Sequence, residues 1–148
     1  MEPGEYERMF QVETRHWWYL GMQTITRSLL NRFLAPTASR KILDAGCGTG
    51  AAMSTYLAEY GNVTGMDFSP LALKGCQTRN LSWLAQASVT AVPFSAESFD
   101  LITSFDVLYE RAVASDTLAL TEFFRVLRPG GLLLLRLPAY NWLRGQHD

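Results

Sequence analysis

The segment KILDAGCGTG, Lys41 to Gly50, runs from a short apolar stretch through an aspartate into three glycines within five positions. Ile42 and Leu43 have the character of a buried strand. Gly46, Gly48 and Gly50 remove side chains where the chain turns sharply. AAMSTYLAEYG, Ala51 to Gly61, follows as a helix-forming stretch that Gly61 caps. Strand, tight turn and helix together let backbone N–H groups at the helix start meet a ligand directly. The plain alternative is a turn that needs positive φ and binds nothing.

Working outward, the unit repeats in kind. NVTGMDF, Asn62 to Phe68, reads as a second strand, and Ser69 and Pro70 offer an N-cap and first helical position for LALKGCQTRN. Further apolar pieces, ASVTAVPF and FDLITSFDVL, follow at crossover spacing. Ser115 and Asp116 then cap a helix striped by Leu120, Phe123, Phe124 and Leu127, which RPGG stops. GLLLLRLPA is an aliphatic run of the kind that central parallel strands show when helices cover both faces. Upstream, apolar residues from about Glu5 to Leu34 recur at helical spacing, and Pro36 closes the segment. The expected fold is α/β: an open, mostly parallel, Rossmann-like sheet with helices on both faces.

The 148 residues suit one domain, and a net charge of -1 gives no general attraction to nucleic acid. No apolar run approaches the ~20 residues needed to cross a bilayer, and the acidic start is unlike a signal peptide, so a cytoplasmic protein is expected. Cys47 and Cys76 are too few for a disulfide scaffold, and no Cys/His spacing suggests a metal.

In such a sheet ligands bind beyond the carboxyl ends of the strands, beside the first strand, where the glycine segment lies. Gly46, Gly48 and Ala51 satisfy G-x-G-x-x-G/A, so a nicotinamide oxidoreductase has to be weighed. Asp44 argues against it: a carboxylate beside a pyrophosphate is electrostatically wrong, yet it suits an ammonium or sulfonium group. Asp67, 21 residues after Gly46, can accept hydrogen bonds from both ribose hydroxyls, and Phe68 offers a face for adenine. Ribose, adenine and a cationic amino-acid tail together describe S-adenosylmethionine better than NAD.

With these motifs the chain resembles the class I S-adenosylmethionine-dependent methyltransferases of the type 11, small-molecule kind, over about His16 to Asp148. LDAGCGTG looks like the family's first motif, VTGMDFSP its second, VPFSAESFDLITSFDVLYE its third and fourth, and FFRVLRPGGLLLL its fifth. The resemblance implies that Asp44, Gly46, Cys47 and Gly48 line the methionine end of the cofactor, with Cys47 a backbone donor rather than a nucleophile, and that Gly50 also belongs to the cofactor site. It places Asp67 at the ribose, Phe68 and Ser69 at the adenosine and Ser88 at the adenine amino group, and counts Val89 among the cofactor-binding residues. Phe105 and Asp106 would flank the amino-acid tail and methyl group, with Val107 and Tyr109 in the pocket wall. For Asp106 a helix N-cap is an equal alternative. Asp100 reads as a turn residue, and Arg128 as a partner of helix-end carbonyls or solvent.

Ser88 stands where relatives commonly carry an aspartate, a weaker acceptor for the adenine amino group. The family's antiparallel strand pair after the fifth strand is lacking, so the chain reads as a fragment, a truncated product or one half of an assembly. Leu132 to Leu137 would then form an apolar edge that a partner, such as a second copy, would cover. Residues 1–36 are expected to act as an N-terminal helical lid and 37–148 as the cofactor-binding core. In RHWWYLG, Trp17, Trp18 and Tyr19 are consecutive and cannot all face one side of a helix, so core packing is expected of any one of them but at least one should reach a cleft or interface; His16 is a candidate base. No residue compels a choice of catalytic base. The rivals to methyl transfer to a small-molecule acceptor are a non-catalytic cofactor-binding or assembly subunit and, behind it, the oxidoreductase.

Overall fold

The structure, a computed structural model, describes residues 3–109, 113 and 115–138. The elements are α1 (Pro3–Val12), α2 (Trp17–Phe33), β1 (Lys41–Ala45), α3 (Ala51–Thr55) with a 3₁₀ turn (Leu57–Glu59), β2 (Asn62–Asp67), α4 (Pro70–Thr78), β3 (Leu84–Gln86), β4 (Phe99–Phe105), α5 (Asp116–Val126) and β5 (Leu127–Arg136). The five strands form one parallel sheet in the order β3-β2-β1-β4-β5. The chain runs outward from β1 through β2 to β3 and returns to the other side at β4, so the topological switch falls between β1 and β4.

Alternation along β1 and β4 divides the core between the two faces. Ile42 and Leu101 pack with Leu30, Tyr56, Leu57 and Tyr60. Leu43, Ala45 and Ile102 pack with Phe123 and Val126 of α5. The α2 helix is held to its face by Leu30, by the Tyr60 hydroxyl donating to Asn31 Oδ1 at 2.6 Å and by an Arg27–Glu59 ion pair at 2.6 Å. Ser115 caps α5 as expected, accepting from the Leu118 amide at 3.2 Å.

Four local readings are corrected. The long N-terminal helix is two helices: Glu13 turns inward, and His16 caps α2 by accepting from the Trp18 amide. His16 is exposed there, and Trp17 is 75% exposed rather than in the core. The helix after the glycine turn is only five residues long, since Ser54 and Thr55 hydroxyls bond back to the Ala51 carbonyl and Tyr56 leaves helical geometry. ASVTAVPF is a loop that drops Val89 and Val92 into the core, and the third strand is the short β3 before it. RPGG lies within β5 as a bulge, because Phe99 pairs with Leu127 but Leu101 pairs with Leu132.

Asp100 is structural but not a turn residue: it lies within β4, where it accepts from the Lys41 amide and pairs with Arg128 at 2.8 Å. Arg128 therefore bonds Asp100 and the Glu97 carbonyl, not helix-end carbonyls. Among the described residues, β5 is an edge strand, and Leu133 and Leu137 are 37% and 44% exposed. No described helix is long and apolar enough to cross a membrane, and no group of three or more described His, Cys, Asp or Glu could hold a metal.

Candidate cofactor site

At the carboxyl end of β1 the backbone takes φ of 81°, 55° and 83° at Gly46, Gly48 and Gly50, the left-handed region that glycine enters freely. The turn is pinned from below: the amides of Gly46 and Cys47 both donate to the Met66 carbonyl, at 2.7 and 3.0 Å, and the Gly50 amide donates to the Cys47 carbonyl. These amides are therefore engaged within the protein. What the turn presents outward is closely approachable backbone rather than a row of free donors.

Two carboxylates flank the turn from adjacent strands. Asp44 is 2% exposed and accepts from the Thr103 hydroxyl at 2.7 Å. Burial pushes its pKa up to about 6, the Thr103 bond opposes the rise, and the charge of Asp67 adds to it. Asp67, at the end of β2, accepts from the Gly48 amide through Oδ2 and from the Ser69 amide through Oδ1, both at 2.9 Å. Burial raises its pKa as well, and those two amides pull it back. Ser69 thus positions Asp67 through its amide, and its hydroxyl makes no cap bond to α4.

Around this pair, Phe68 is 68% exposed beside Asp67. Ser88 Oγ accepts from the Thr90 amide at 3.2 Å and shares a hydroxyl contact with Thr90. Val89 is buried in the α5-side core, which leaves its backbone for any ligand. Val107 lies directly over Gly46: a Cβ built there would fall 3.2 Å from Val107 Cβ and closer to its methyls. Cys47 and Cys76 are buried thiols with sulfurs 3.9 Å apart. The Cys76 thiol and burial hold the Cys47 thiol far above its ordinary range, so it is no nucleophile.

Asp106 adopts φ +59° and is gripped through Oδ2 by Arg136 Nε and Nη2, at 2.8 and 2.6 Å. The Arg136 guanidinium also lies 4.8 Å from the Phe105 ring and 5.6 Å from that of Trp18. Asp106 is therefore an ion-pair partner at the mouth; residues 110–112 after it lie outside the described residues. Sequence reasoning missed Arg136, Thr103, Glu13, Thr49 and Arg79. Only the register Phe105↔Arg136 brings Arg136 to Asp106, and the other contacts are equally non-local.

A shallow hollow of about 350 Å³ lined by Phe33, Arg40, Asp100 and Arg128 lies at the amino ends of β1 and β4, away from the glycine turn. The carboxyl-end arrangement brings together a buried carboxylate, a second carboxylate that accepts from the glycine turn and an open aromatic face. A pyrophosphate is disfavoured, since the Gly48 amide is already taken by a carboxylate.

The model of the Methyltransferase domain family matches residues 43–135. The chain belongs to that family. Its sequence is 34% identical over 127 residues to the ubiquinone/menaquinone biosynthesis C-methyltransferase UbiE of Roseobacter denitrificans, covering 78% of this chain and 49% of the relative. It is 30% identical over 145 residues to a demethylmenaquinone methyltransferase of Clavibacter sepedonicus, covering 90% and 58%. The fold matches a Methanococcus maripaludis protein described as an S-adenosyl-L-methionine-dependent methyltransferase, with TM-score 0.74, 22% identity and coverage of 90% of this chain and 63% of that one. The chain spans about half the length of the curated relatives it matches. The cofactor of this methyltransferase domain is S-adenosylmethionine.

Proposed function

We propose that this chain transfers a methyl group from S-adenosylmethionine to a small-molecule acceptor. The observation that carries the reading is the pair Asp44 and Asp67 on adjacent strand ends, either side of a glycine turn. Asp44 is buried with one donor, Thr103, and is suited to the ammonium of the cofactor tail. Each Asp67 oxygen takes one backbone amide and keeps a lone pair for a ribose hydroxyl. The exposed Phe68 ring provides a stacking face for adenine, and Ser88 and Val89 border that end.

Bound S-adenosylmethionine supplies an already activated methyl, so the protein's part is to orient it and keep the site dry. Gly46, Cys47, Gly48 and Gly50 allow close approach, while Val107 and Phe105 form the apolar wall beside the methyl position. Asp106 is held by Arg136 and shapes the mouth. The two relatives named above act in quinone biosynthesis by their names, and a reduced quinone-like ring is the first acceptor to try. Self-association through the β5 edge is part of the same reading, with sedimentation as its check.

Calorimetric titration with S-adenosylmethionine, S-adenosylhomocysteine and NAD tests the assignment. Saturable binding of the first two and not of NAD is expected. Asp67→Ala should weaken it at least about tenfold, since hydrogen bonds to a charged group contribute about 1.5–3 kcal/mol each. A folded chain that prefers NAD, or an Asp67→Ala variant that binds normally, rejects the site. Binding without methyl transfer to any tested acceptor would favour a cofactor-binding subunit.

A further inference from the structure

We propose that Glu13, Arg79 and Thr49 form a latch that holds α1 closed over the glycine turn and so sets how fast the cofactor leaves. The second half rests on the methyl-donor site proposed above; the first does not. No residue of α1 from Gly4 to Val12 is fully buried, yet Glu13, just beyond the helix, is 9% exposed. Its carboxylate accepts from the Thr49 hydroxyl and from Arg79 Nη2 at 2.7 Å. Arg79 also donates through Nε to the Thr49 carbonyl at 3.0 Å and through Nη2 to the Phe10 carbonyl at 3.3 Å, with its guanidinium 4.3 Å over the Phe10 ring.

The arrangement ties three elements at one point. Phe10 contributes one of the last carbonyls of α1, so Arg79 meets the negative end of that helix. Arg79 itself ends α4 as its C-cap residue. Thr49, 1% exposed, sits between Gly48 and Gly50 of the turn. From the α4 side Thr49 is packed so closely that a Cβ at Gly75 would fall 2.8 Å from its Cβ. That contact gives the mid-helix glycine a purpose: it admits Thr49. On the outer side Met9 lies over the turn, its Cε 3.1 Å from where a Gly48 side chain would begin.

A cofactor seated against Gly48 therefore lies under α1, and the apolar contacts of α1 are all partial. A buried ion pair contributes little net stability while intact, but losing one partner strands the other charge. That makes the Glu13–Arg79 pair a suitable latch: closed or open, with little middle ground. Glu13 and Arg79 act here as positioning residues, through Thr49 and the placement of α1.

The test is hydrogen exchange on the full chain, with and without S-adenosylhomocysteine, together with stopped-flow dissociation of that ligand. In Glu13→Gln, amides of residues 5–12 should exchange at least tenfold faster while β1 and β4 amides keep their protection. The ligand off-rate should rise at least tenfold with the on-rate little changed. Arg79→Met should behave alike, and Glu13→Gln/Arg79→Met should be no worse than the worse single variant, because neither charge is then stranded. Unchanged α1 protection in both single variants overturns the latch. Loosened α1 with an unchanged off-rate overturns its control of release. A wild-type chain that does not bind S-adenosylhomocysteine overturns the off-rate half together with the methyl-donor reading, and α1 exchange alone then decides the latch.

Discussion

Asp44→Asn is expected to make the ligand-free protein more stable at pH 8 and to cost it at least about tenfold in S-adenosylmethionine affinity. Asp44 is buried at 2% exposure with one hydrogen-bond donor, and its pKa stands at about 6 against an ordinary 3.8. That gap corresponds to about 3 kcal/mol of strain on the folded state once the carboxylate is charged. The sign follows from the raised value. Below about pH 4 the group is protonated whether folded or not and costs nothing. As pH rises through 4 to 6 the folded state keeps its proton while the unfolded chain releases it, and stability falls until the group ionises near 6. Asparagine keeps the acceptor for Thr103 and carries no charge, so its advantage should grow from nothing near pH 4 to as much as about 3 kcal/mol above pH 7.

The same charge is what a cationic ligand needs. With an ammonium beside it, the carboxylate ionises more readily, so wild-type affinity should decline as pH falls through about 6, approaching tenfold per unit below that point. The Asp44→Asn variant should show no such decline. Urea unfolding at pH 4.5 and 8, paired with calorimetric titration over the same range, reads both effects. A variant that is no more stable at pH 8, or that retains wild-type affinity, would remove Asp44 from the binding role. Stability given up at an unligated charge is the usual mark of a functional residue.

The sequence made the glycine turn, the aspartates beside it and the parallel α/β sheet readable because each is local: an apolar run, a left-handed glycine and a carboxylate lie within a few residues. Ser115 was readable as a cap for the same reason. The break between α1 and α2 was not, since VETRHW has no proline or glycine and the turn there is made by Glu13 reaching Arg79 across 66 residues. Nor was β3, three residues whose assignment depends on backbone pairing with β2, while the more apolar ASVTAVPF buries its valines from a loop. Arg136 is the clearest miss. Nothing in the aliphatic run around it marks a role for it, and only the β4–β5 register sets it against Asp106, Phe105 and Trp18. The parts of the site that hold the turn are thus written locally, and the parts that close over it are written in long-range pairings.

Gly46→Ala should be the most damaging small change in the turn, and Gly130→Ala separates its two causes. Both glycines have positive φ, 81° and 78°. At Gly130 nothing lies within 4 Å of a built Cβ, so alanine there meets only the backbone penalty, about 1–2 kcal/mol. At Gly46 the same penalty is joined by a collision with Val107, whose Cβ is 3.2 Å away and whose methyls are nearer. Overpacking of that kind adds about 1–3 kcal/mol, so the total of about 2–5 kcal/mol should lower Tm by roughly 5–15 °C for a chain of this length. Val107 can yield only by moving, and if it lines the pocket wall as proposed above, cofactor binding should fall along with stability. In Gly46→Ala/Val107→Ala the methyls are gone, and the loss relative to Val107→Ala alone should shrink toward that at Gly130. Equal Tm losses for Gly46→Ala and Gly130→Ala would show that Val107 does not crowd the turn. A Gly46→Ala loss that Val107→Ala leaves undiminished would assign the whole effect to the backbone.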